Sequence, residues 1–426
     1  MAKRKTSPKT SSFVSSYTDA QYMVEMVYQN LVGQFAVMNG ASVQIQASLK
    51  INNQIMKPHE DPMGILKTNV VRLPSQPMPY KSKQGLEQRI QQYIHDFCDM
   101  PLFWERLSTY YVLMTWVYDR FGSLPYLRFL GEFETGKTRM WEAIGNCSYR
   151  PIFITGGTTV APMFRIIEKY KGTLLIDEAD FKDSELDSAI IKVLNVGYRQ
   201  GGNVLRAEKV GDNYTERAFD VFSPKILTSR RRFNDDATES RCLTYVVPNN
   251  KRVRAGIPIQ LLPHIADSFR EQGQEIRNMC LQWRFDHWRT LQLDLNVPID
   301  LPSRSREIAV PILSVIDDSA FRDEFFDWMR HQGRERKQES QTALCVQAIN
   351  SVLGAQAKGR LIVGDVQREM VRMAEDGGDE LSISSKTVGD MMRQLRFDPA
   401  PRTGKGRQYW VTRKQMDELL DEFHLG

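Results

Sequence analysis

The chain has 426 residues, of which 41% are hydrophobic and 26% are charged, a composition typical of soluble globular domains. This length allows two to four domains, each with its own core. The 57 basic and 52 acidic side chains leave a net charge of +5, which permits a nucleic-acid partner without requiring one. No apolar run approaches the roughly 20 residues that cross a bilayer, so we expect no membrane partner.

The cysteine pattern and the N-terminus bear on the cell compartment. Five cysteines are scattered without pairs, which favours a reducing, cytoplasmic environment over a disulfide framework. Of the six histidines only His95 lies within a helical turn of a cysteine, Cys98, which argues against a zinc site. The basic N-terminus is not followed by an apolar segment, so it does not have the pattern of a secretory signal.

The first third of the chain is predicted to lead up to a larger domain. Residues 1–20 are polar and predict a basic disordered tail, with a DNA-binding arm as the alternative. Residues 21–80 are interpreted as a small N-terminal module with some strand, which ends in the proline-rich linker 73–79. Over 81–122 the apolar residues recur at helical spacing and predict two helices.

A nucleotide-binding core is predicted over 123–250. Its first strand, 126–130, runs into a complete G-x-x-x-x-G-K-[ST] phosphate loop, made of Gly131, Glu132, Phe133, Glu134, Thr135, Gly136, Lys137 and Thr138. Backbone N–H groups of such a loop surround a polyphosphate, the lysine reaches the β- and γ-phosphates, and the hydroxyl completes a Mg²⁺ shell. The loop therefore predicts binding of ATP and Mg²⁺, although Glu132 and Glu134 are unusual beside phosphate. A glycine-bearing turn that binds nothing is the alternative.

Two adjacent carboxylates, Asp177 and Glu178, follow the apolar segment 173–176. The strands and helices that alternate between the loop and these acids predict a parallel sheet covered on both faces. At the end of such a strand the first acid is placed to hold Mg²⁺ and the second to polarise the attacking water. A strand that ends in helix-capping acids, with Asp180 as the cap, is the alternative.

The remainder of the core is predicted to contain a hairpin, a further strand and an arginine. Residues 204–209 alternate loosely before a turn sequence and predict a β-hairpin. A strand follows at 223–230, and a polar side chain at its end, Thr228 or Ser229, is suited to sense the γ-phosphate. Arg241 comes after a short helical turn and is suited to neutralise charge on a nucleotide held by a neighbouring subunit; a surface salt bridge is the alternative.

The last part of the chain is predicted to be helical and to end in a separate domain. Residues 251–330 are interpreted as a helical lid and 331–339 as a charged linker or a helix extension. Over 340–426, three helices precede a hairpin rich in Gly and Arg, a pattern typical of a winged helix. Its third helix offers Ser385, Lys386 and Arg393 to a major groove, and its wing offers Arg402, Lys405 and Arg407 to phosphates. Docking of another protein is the alternative role.

With these motifs assembled, residues 120–320 resemble an AAA+ ATPase. More narrowly, they resemble the replicative helicases of plasmids, phages and mobile elements that are related to minichromosome-maintenance helicases. The supporting strings are the phosphate loop continued into Arg139, then 174–180, 194–198, 225–230 and 239–242, and the segment 304–311 is similar to the one that carries the second sensor arginine. Arg304 matches that arginine best, with Arg306 as its rival.

The resemblance implies how these residues work together. It implies a ring, usually a hexamer, in which each nucleotide site is shared between two subunits, so that Arg241 acts on the neighbouring subunit's nucleotide. It also implies that the hairpin projects into the central channel, where Lys209, with Arg206 behind it, grips the phosphates of single-stranded DNA. A hairpin with no ligand is the alternative. The chain shows no primase module, so a primer, if needed, must come from a separate primase.

The sequence thus predicts an α/β protein with a P-loop AAA+ core, and an ATP-driven DNA helicase or translocase as its function. Two other classes of function stay open. One is an AAA+ helicase loader or DNA-bound regulator without unwinding activity, which a strand-displacement assay would distinguish. The other is a non-enzymatic origin-binding scaffold, in which replacing Glu178 would change little.

Overall fold

The computed structural model describes residues 11–51, 54–154, 158–179, 185–210, 213–233, 235–249, 254–258, 260–338, 340–376, 381–404 and 406–425. For residues 185, 187, 208–210, 213, 214, 236, 336, 337, 402 and 403 the description is limited to the backbone. The chain forms two compact units, Met1–Arg322 and Asp323–Gly426.

The first unit begins with two small sheets, of strand order β1-β7-β6 and β2-β3-β4-β5. Their strands are β1 (Ser11–Val14), β2 (Ser16–Thr18), β3 (Tyr22–Gln29), β4 (Val32–Asn39), β5 (Ser42–Gln46), β6 (Leu49–Ile51) and β7 (Gln54–Pro58). The prediction of a disordered tail is wrong for 11–18, because β1 pairs with β7 and β2 pairs with β3. Strand pairing orders this polar segment, with a partner distant in sequence for β1 and with the next strand for β2, and composition does not reveal it.

The central part of the first unit is built around a five-stranded parallel sheet, as predicted. Its strand order is β14-β8-β13-β10-β9. In chain order the elements are α1 (Lys83–Phe97), α2 (Leu102–Trp116), β8 (Tyr126–Leu130), α3 (Lys137–Cys147), β9 (Ile152–Ile154), α4 (Val160–Tyr170), β10 (Leu174–Ile176), α5 (Glu185–Val196), β11 (Asn203–Val210), β12 (Asn213–Asp220), β13 (Lys225–Ser229), α6 (Asp236–Glu239) and β14 (Cys242–Val246).

Two helices complete this region, α7 (Pro263–His287) and α8 (Ser303–Leu313), and α9 (Ser319–Gln338) spans the boundary between the two units. Because α9 continues to Gln338, residues 331–338 are a helix extension rather than a linker. Within the described ranges, none of the helices is both long enough and apolar enough to cross a membrane.

The N-terminal strands are joined to the central sheet by a common core and by buried ion pairs. Val24 and Phe35 belong to the same buried cluster as Ile152 of β9. Glu25, which is 1% exposed, accepts hydrogen bonds from Arg150 at 2.5 Å and from Arg284 of α7 at 2.8 Å. A buried carboxylate is costly unless it is paired in this way. The N-terminal strands are therefore fixed to the core rather than joined through a free linker.

The second unit has its own core. It contains α10 (Gln341–Leu353), β15 (Lys358–Ile362), α11 (Val363–Asp376), α12 (Ser385–Gln394), β16 (Asp398–Thr403), β17 (Gly406–Thr412) and α13 (Arg413–Glu422). The strands form an antiparallel sheet of order β15-β17-β16, and Val346, Met370 and Val411 are among the residues buried between this sheet and the helices. The sequence predicts α10, α11, α12 and the β16–β17 hairpin, but not β15 or α13.

Candidate nucleotide site

The phosphate loop joins the carboxyl end of β8 to the first turn of α3. Gly136 has a φ of +87°, a left-handed conformation that favours glycine, and it directly precedes Lys137, the first residue of α3. A Cβ on Gly131 would lie 2.9 Å from the carbonyl oxygen of Val247, which follows β14. The geometry therefore requires both glycines of the motif. Gly136 allows the turn, and Gly131 allows the close approach of the backbone that follows β14.

The lysine of the motif turns back onto the loop. Its Nζ donates hydrogen bonds to the carbonyl oxygens of Gly131 and Glu132 and lies 3.5 Å from the Thr135 hydroxyl. Glu132 and Glu134 are exposed, so their carboxylates remain solvated. The ammonium group is therefore held at the loop, where a polyphosphate oxygen can replace the carbonyls as its partner.

Thr228, at the carboxyl end of β13, organises both acids. Its hydroxyl donates to Asp177 Oδ1 at 2.6 Å and accepts from the backbone N–H of Glu178 at 2.8 Å. Glu178 has a φ of +54°, an uncommon conformation for a residue other than glycine, and is exposed. The acids thus leave the strand in a fixed turn, while Asp180, the cap considered as the alternative, lies outside the described residues.

The two candidate sensor residues have different environments. Thr228 is fully engaged with the acids, whereas the buried Ser229 hydroxyl has no hydrogen-bond partner among the described residues. Buried polar groups are rarely left unpaired, and such a group next to a cavity points to an unseen partner. Ser229 is therefore the better candidate to contact a phosphate, and Thr228 positions the acids.

Arg230 is a site residue that the sequence does not predict. It directly follows β13, and its guanidinium lies 4.5 Å from the centre of the Phe133 ring in the phosphate loop. Phe133 is itself 63% exposed. The only signal in the sequence is the position of Arg230 at the end of the sensor strand, beside two further arginines that do not share this location.

Most of the predicted residues of the phosphate site surround one cavity, whereas Glu132 and Arg139 line a neighbouring one. The first cavity has a volume of about 320 Å³ and is lined by Phe133, Glu134, Thr135, Gly136, Lys137, Thr138, Asp177, Glu178, Thr228, Ser229 and Arg230. The hydroxyl of Thr138 and the carboxylate of Asp177 are the hard oxygen donors that Mg²⁺ prefers. The residues present therefore fit a Mg²⁺-triphosphate.

A second cavity, of about 610 Å³, adjoins the first around residues 133–136. It is lined by Phe97 and Cys98 at the end of α1, by Met140 of α3, and by Pro248 and Ile257 from the segment after β14. Arg139 closes one side and donates to the carbonyl oxygen of Pro258 at 3.3 Å. A mostly apolar cleft beside a phosphate site suits a nucleobase. Sequence reasoning misses it because its lining comes from distant segments.

Arg241 lies at the opposite edge of the sheet. Its carbonyl oxygen accepts a hydrogen bond from Tyr126, the first residue of β8, whereas the phosphate loop follows the last residue of β8, about 13 Å further along the strand. Its guanidinium lies 4.1 Å from the centre of the Tyr198 ring and donates to Asn195 at 3.3 Å. Arg241 is only 6% exposed, so the surface salt bridge considered from the sequence does not describe it.

Arg304 lies beside Arg241 rather than beside the phosphate loop. Its guanidinium is 4.6 Å from the centre of the same Tyr198 ring and pairs with Glu307 at 2.5 Å. The rival residue Arg306 is exposed. The structure thus gathers the two predicted arginines around Tyr198, and it separates both of them from the Lys137 of their own chain.

A buried ion pair holds the segment that precedes Arg241. Arg128, in the middle of β8, donates to both carboxylate oxygens of Glu239, with Nη1 at 2.6 Å from Oε2. Glu239 also accepts from Arg232 and from the backbone of Phe233, each at 3.0 Å. Burial disfavours the charged carboxylate, but the Arg128 guanidinium and these donors outweigh it and lower the pKa of Glu239 to about 2. The pair therefore fixes α6 to the sheet.

Replacing Glu239 with Gln should destabilise the protein by about 3–5 kcal/mol at neutral pH, because Arg128 would remain buried without a counter-charge. The folded-state pKa lies below the ordinary value of 4.5, so the stabilisation is complete above pH 4.5 and is lost as the pH falls towards 2. Urea unfolding of both proteins across this range measures the effect. Asp267→Asn, which breaks the exposed Arg270 pair, is the control and should cost less than about 1 kcal/mol. A difference that persists unchanged at pH 2 would contradict the assignment.

The predicted hairpin is present as β11 and β12, which pair from Asn203 opposite Asp220 to Val210 opposite Asn213. It packs on α4, where the Phe219 and Phe164 rings are 5.4 Å apart. The Arg206 guanidinium lies 5.1 Å from the centre of the Phe164 ring, so it helps to anchor the hairpin. Lys209 pairs through its backbone with Tyr214 near the hairpin end; its side chain is outside the described residues.

The structure places only some of the residues of the second unit that are predicted to contact DNA. Ser385, Lys386 and Arg393 are exposed on α12, and the Ser385 hydroxyl donates to Gln367 at 2.6 Å. Asp390 lies 3.5 Å from Arg393 and 3.8 Å from Arg407, so one carboxylate partly neutralises both arginines. The side chain of Arg402 and all of Lys405 lie outside the described residues.

Several solved structures are similar to this chain at low identity. The SCCmec type IV Cch, described as an active helicase, is 12% identical with a TM-score of 0.47, over 97% of this chain and 80% of that one. The NrS-1 C-terminal region is 8% identical with a TM-score of 0.38, over 91% and 96%, and JCV helicase is 12% identical with a TM-score of 0.29, over 55% and 67%. No known protein family and no curated protein matches the chain. Likenesses this distant do not bear on the activity, which has to be argued from the site.

Proposed function

We propose that the chain is an ATPase that drives movement along DNA, a helicase or translocase that serves the replication of a phage, plasmid or integrated mobile element. One observation carries the ATPase part of the proposal: a single cavity gathers Lys137, Thr138, Asp177 and Glu178 at the carboxyl edge of a parallel sheet. These are the groups that phosphate binding, Mg²⁺ binding and activation of water require. The replication context rests on the resemblance of the motif strings.

Each side chain of this cavity has a distinct role in the proposal. The loop N–H groups and Lys137 bind the β- and γ-phosphates, and Thr138 and Asp177 hold Mg²⁺, which supplies charge neutralisation when bound. Glu178 accepts a proton from the attacking water as general base. Ser229 donates a hydrogen bond from its hydroxyl to the γ-phosphate, while Thr228 holds the two acids in position.

The position of Arg241 and Arg304 supports a site shared between subunits. Neither arginine lines either of the two cavities beside the phosphate loop, and both contact Tyr198 at the amino edge of the sheet. In the proposal, this edge of one subunit faces the nucleotide of the next subunit in a ring, which we propose to be a hexamer. Arg241 then leaves Asn195 to neutralise charge on the γ-phosphate, a contribution of about 10³-fold or more to turnover in related arrangements.

Arg230 supplies a second cation within the chain's own site. We expect Arg230→Ala to weaken ATP binding by about 10- to 100-fold and ADP binding much less, because a charge-assisted hydrogen bond to the γ-phosphate would be lost. Calorimetric titration with Mg²⁺-ATP and Mg²⁺-ADP measures the difference. Arg231→Ala, at an exposed neighbouring position, is the matched control. If the binding of ATP and of ADP is weakened equally, Arg230 instead acts by holding the Phe133 ring in place.

DNA contact is assigned to two places in the proposal. The hairpin presents Lys209 near its end to the phosphates of a single strand, with Arg206 fixing the hairpin on α4. The order of helices and strands in the second unit supports a winged helix, in which Ser385, Lys386 and Arg393 of α12 approach duplex DNA.

The deciding experiment is strand separation on a forked duplex. The purified chain should release one strand only in the presence of Mg²⁺ and ATP, and the required single-stranded tail gives the polarity of movement. A chain that hydrolyses ATP without releasing a strand would be a loader or regulator, and one that binds ATP without turnover would be a scaffold. Either result would overturn the helicase proposal.

A further inference from the structure

The outer face of the sheet in the second unit carries an exposed aromatic ring between two cations. Trp410, in β17, is 37% exposed, whereas its neighbours Tyr409 and Val411 are buried in the core. On the adjacent strand β15, Arg360 lies directly opposite Trp410, and Lys358 is opposite Thr412, so their side chains share this face.

Both cations lie over the indole. The Lys358 ammonium is 4.9 Å from the centre of the Trp410 ring, and the Arg360 guanidinium is 5.8 Å from it. Arg360 also donates a hydrogen bond to the carbonyl oxygen of Pro401 in β16, which fixes its position. The ring and the cations are therefore held together by strand pairing rather than by chance proximity of flexible side chains.

The charge balance of this face differs from that of α12. Among the described residues, neither Lys358 nor Arg360 forms an ion pair with a carboxylate. Asp398 is opposite Trp410 on the other neighbouring strand, so the face keeps two cations against one anion. By contrast, Arg393 and the wing residue Arg407 share the carboxylate of Asp390. Lys358 and Arg360 therefore keep their positive charge beside the ring, whereas the charges of Arg393 and Arg407 are partly neutralised.

We propose that Lys358, Arg360 and Trp410 form a binding surface for single-stranded DNA. An unpaired base stacks on the part of the indole that remains exposed, and the two cations beside it bind the neighbouring phosphates. A duplex fits this surface poorly because its bases stack on one another and leave no face for the ring. The surface is separate from α12, and it would bind a strand whether or not the chain unwinds duplexes.

The test uses the full chain without nucleotide. Fluorescence anisotropy compares a labelled oligothymidylate, a strand of the same length made of abasic deoxyribose phosphate, and a duplex. We expect Trp410→Ala to weaken oligothymidylate binding by about 5- to 100-fold and to leave abasic-strand binding unchanged, because stacking needs a base. The double substitution Lys358→Ala and Arg360→Ala should weaken binding to both strands and reduce the salt slope by about 1.4.

Control variants separate this surface from folding and from ATP turnover. Trp410→Phe keeps a flat aromatic face and should retain most of the affinity for oligothymidylate. ATP hydrolysis without DNA should be unchanged in Trp410→Ala, so failure here and failure of the ATPase proposal give different results. Wild-type affinity in Trp410→Ala, an equal loss on the abasic strand, or a duplex effect as large as the single-strand effect would each overturn the proposal.

Discussion

Replacing Glu178 with Gln should reduce ATP turnover by about 10²- to 10⁴-fold and leave Mg²⁺-ATP binding close to that of the wild type. The amide has nearly the same shape but cannot accept the proton of the attacking water. Because Glu178 is exposed and its backbone N–H is held by Thr228, the substitution should not disturb the fold. Steady-state hydrolysis and calorimetric binding of ATP, measured on the same preparation, separate the two effects.

The phosphate loop offers a matched control for Glu178→Gln. Glu134 is also an exposed glutamate on the wall of the cavity, so Glu134→Gln makes the same change of charge and shape there. It should alter turnover only a few-fold, because its carboxylate has no part in the proposed proton transfer. If Glu134→Gln loses as much activity as Glu178→Gln, the effect is electrostatic and Glu178 is not the general base. Strand separation should fall with hydrolysis in the Glu178 variant.

The part of the nucleotide site that the sequence predicts is the part that is local in the chain. The loop 131–138 is a contiguous motif, and the acids follow a recognisable apolar strand. The bond between Thr228 and Asp177 joins residues 51 positions apart, so spacing leaves Thr228 and Ser229 as equal candidates. Only the packing of β13 beside β10 shows that one hydroxyl is already engaged and the other is not.

The parts that the sequence misses depend on contacts across distant segments. The apolar cavity combines Phe97 and Pro248, which no periodicity connects. The strand β1 is ordered by pairing with the distant strand β7, while its own composition is that of a flexible tail. Arg304 matches a motif position, but only the shared Tyr198 ring shows that it lies with Arg241. The chemistry of a contiguous motif can be predicted from the sequence, whereas the contacts of each side chain depend on the fold.

Arg241→Ala should lower ATP turnover by about 10³-fold or more. A neighbouring subunit that carries an intact Arg241 should restore this activity. Lys137→Ala should be equally inactive, because its own phosphate site cannot hold the nucleotide. When equal amounts of the two variants assemble at random, about a quarter of the interfaces join a subunit with an intact Lys137 to a neighbour with an intact Arg241. ATP hydrolysis should therefore reappear in the mixture, and titration of one variant against the other measures it.

The recovery depends on which edge of the sheet each residue occupies. Lys137 and Glu178 line the same cavity, so a mixture of Lys137→Ala with Glu178→Gln contains no complete site and should stay inactive. Arg241 lies at the amino edge with Arg304, and in the proposal it belongs to the other half of the interface. Recovery also shows that the Arg241 variant is folded, although the residue is nearly buried in the single chain. Absence of recovery, with both variants still assembled, would make Arg241 a structural residue that stacks on Tyr198 and would remove the shared site from the mechanism.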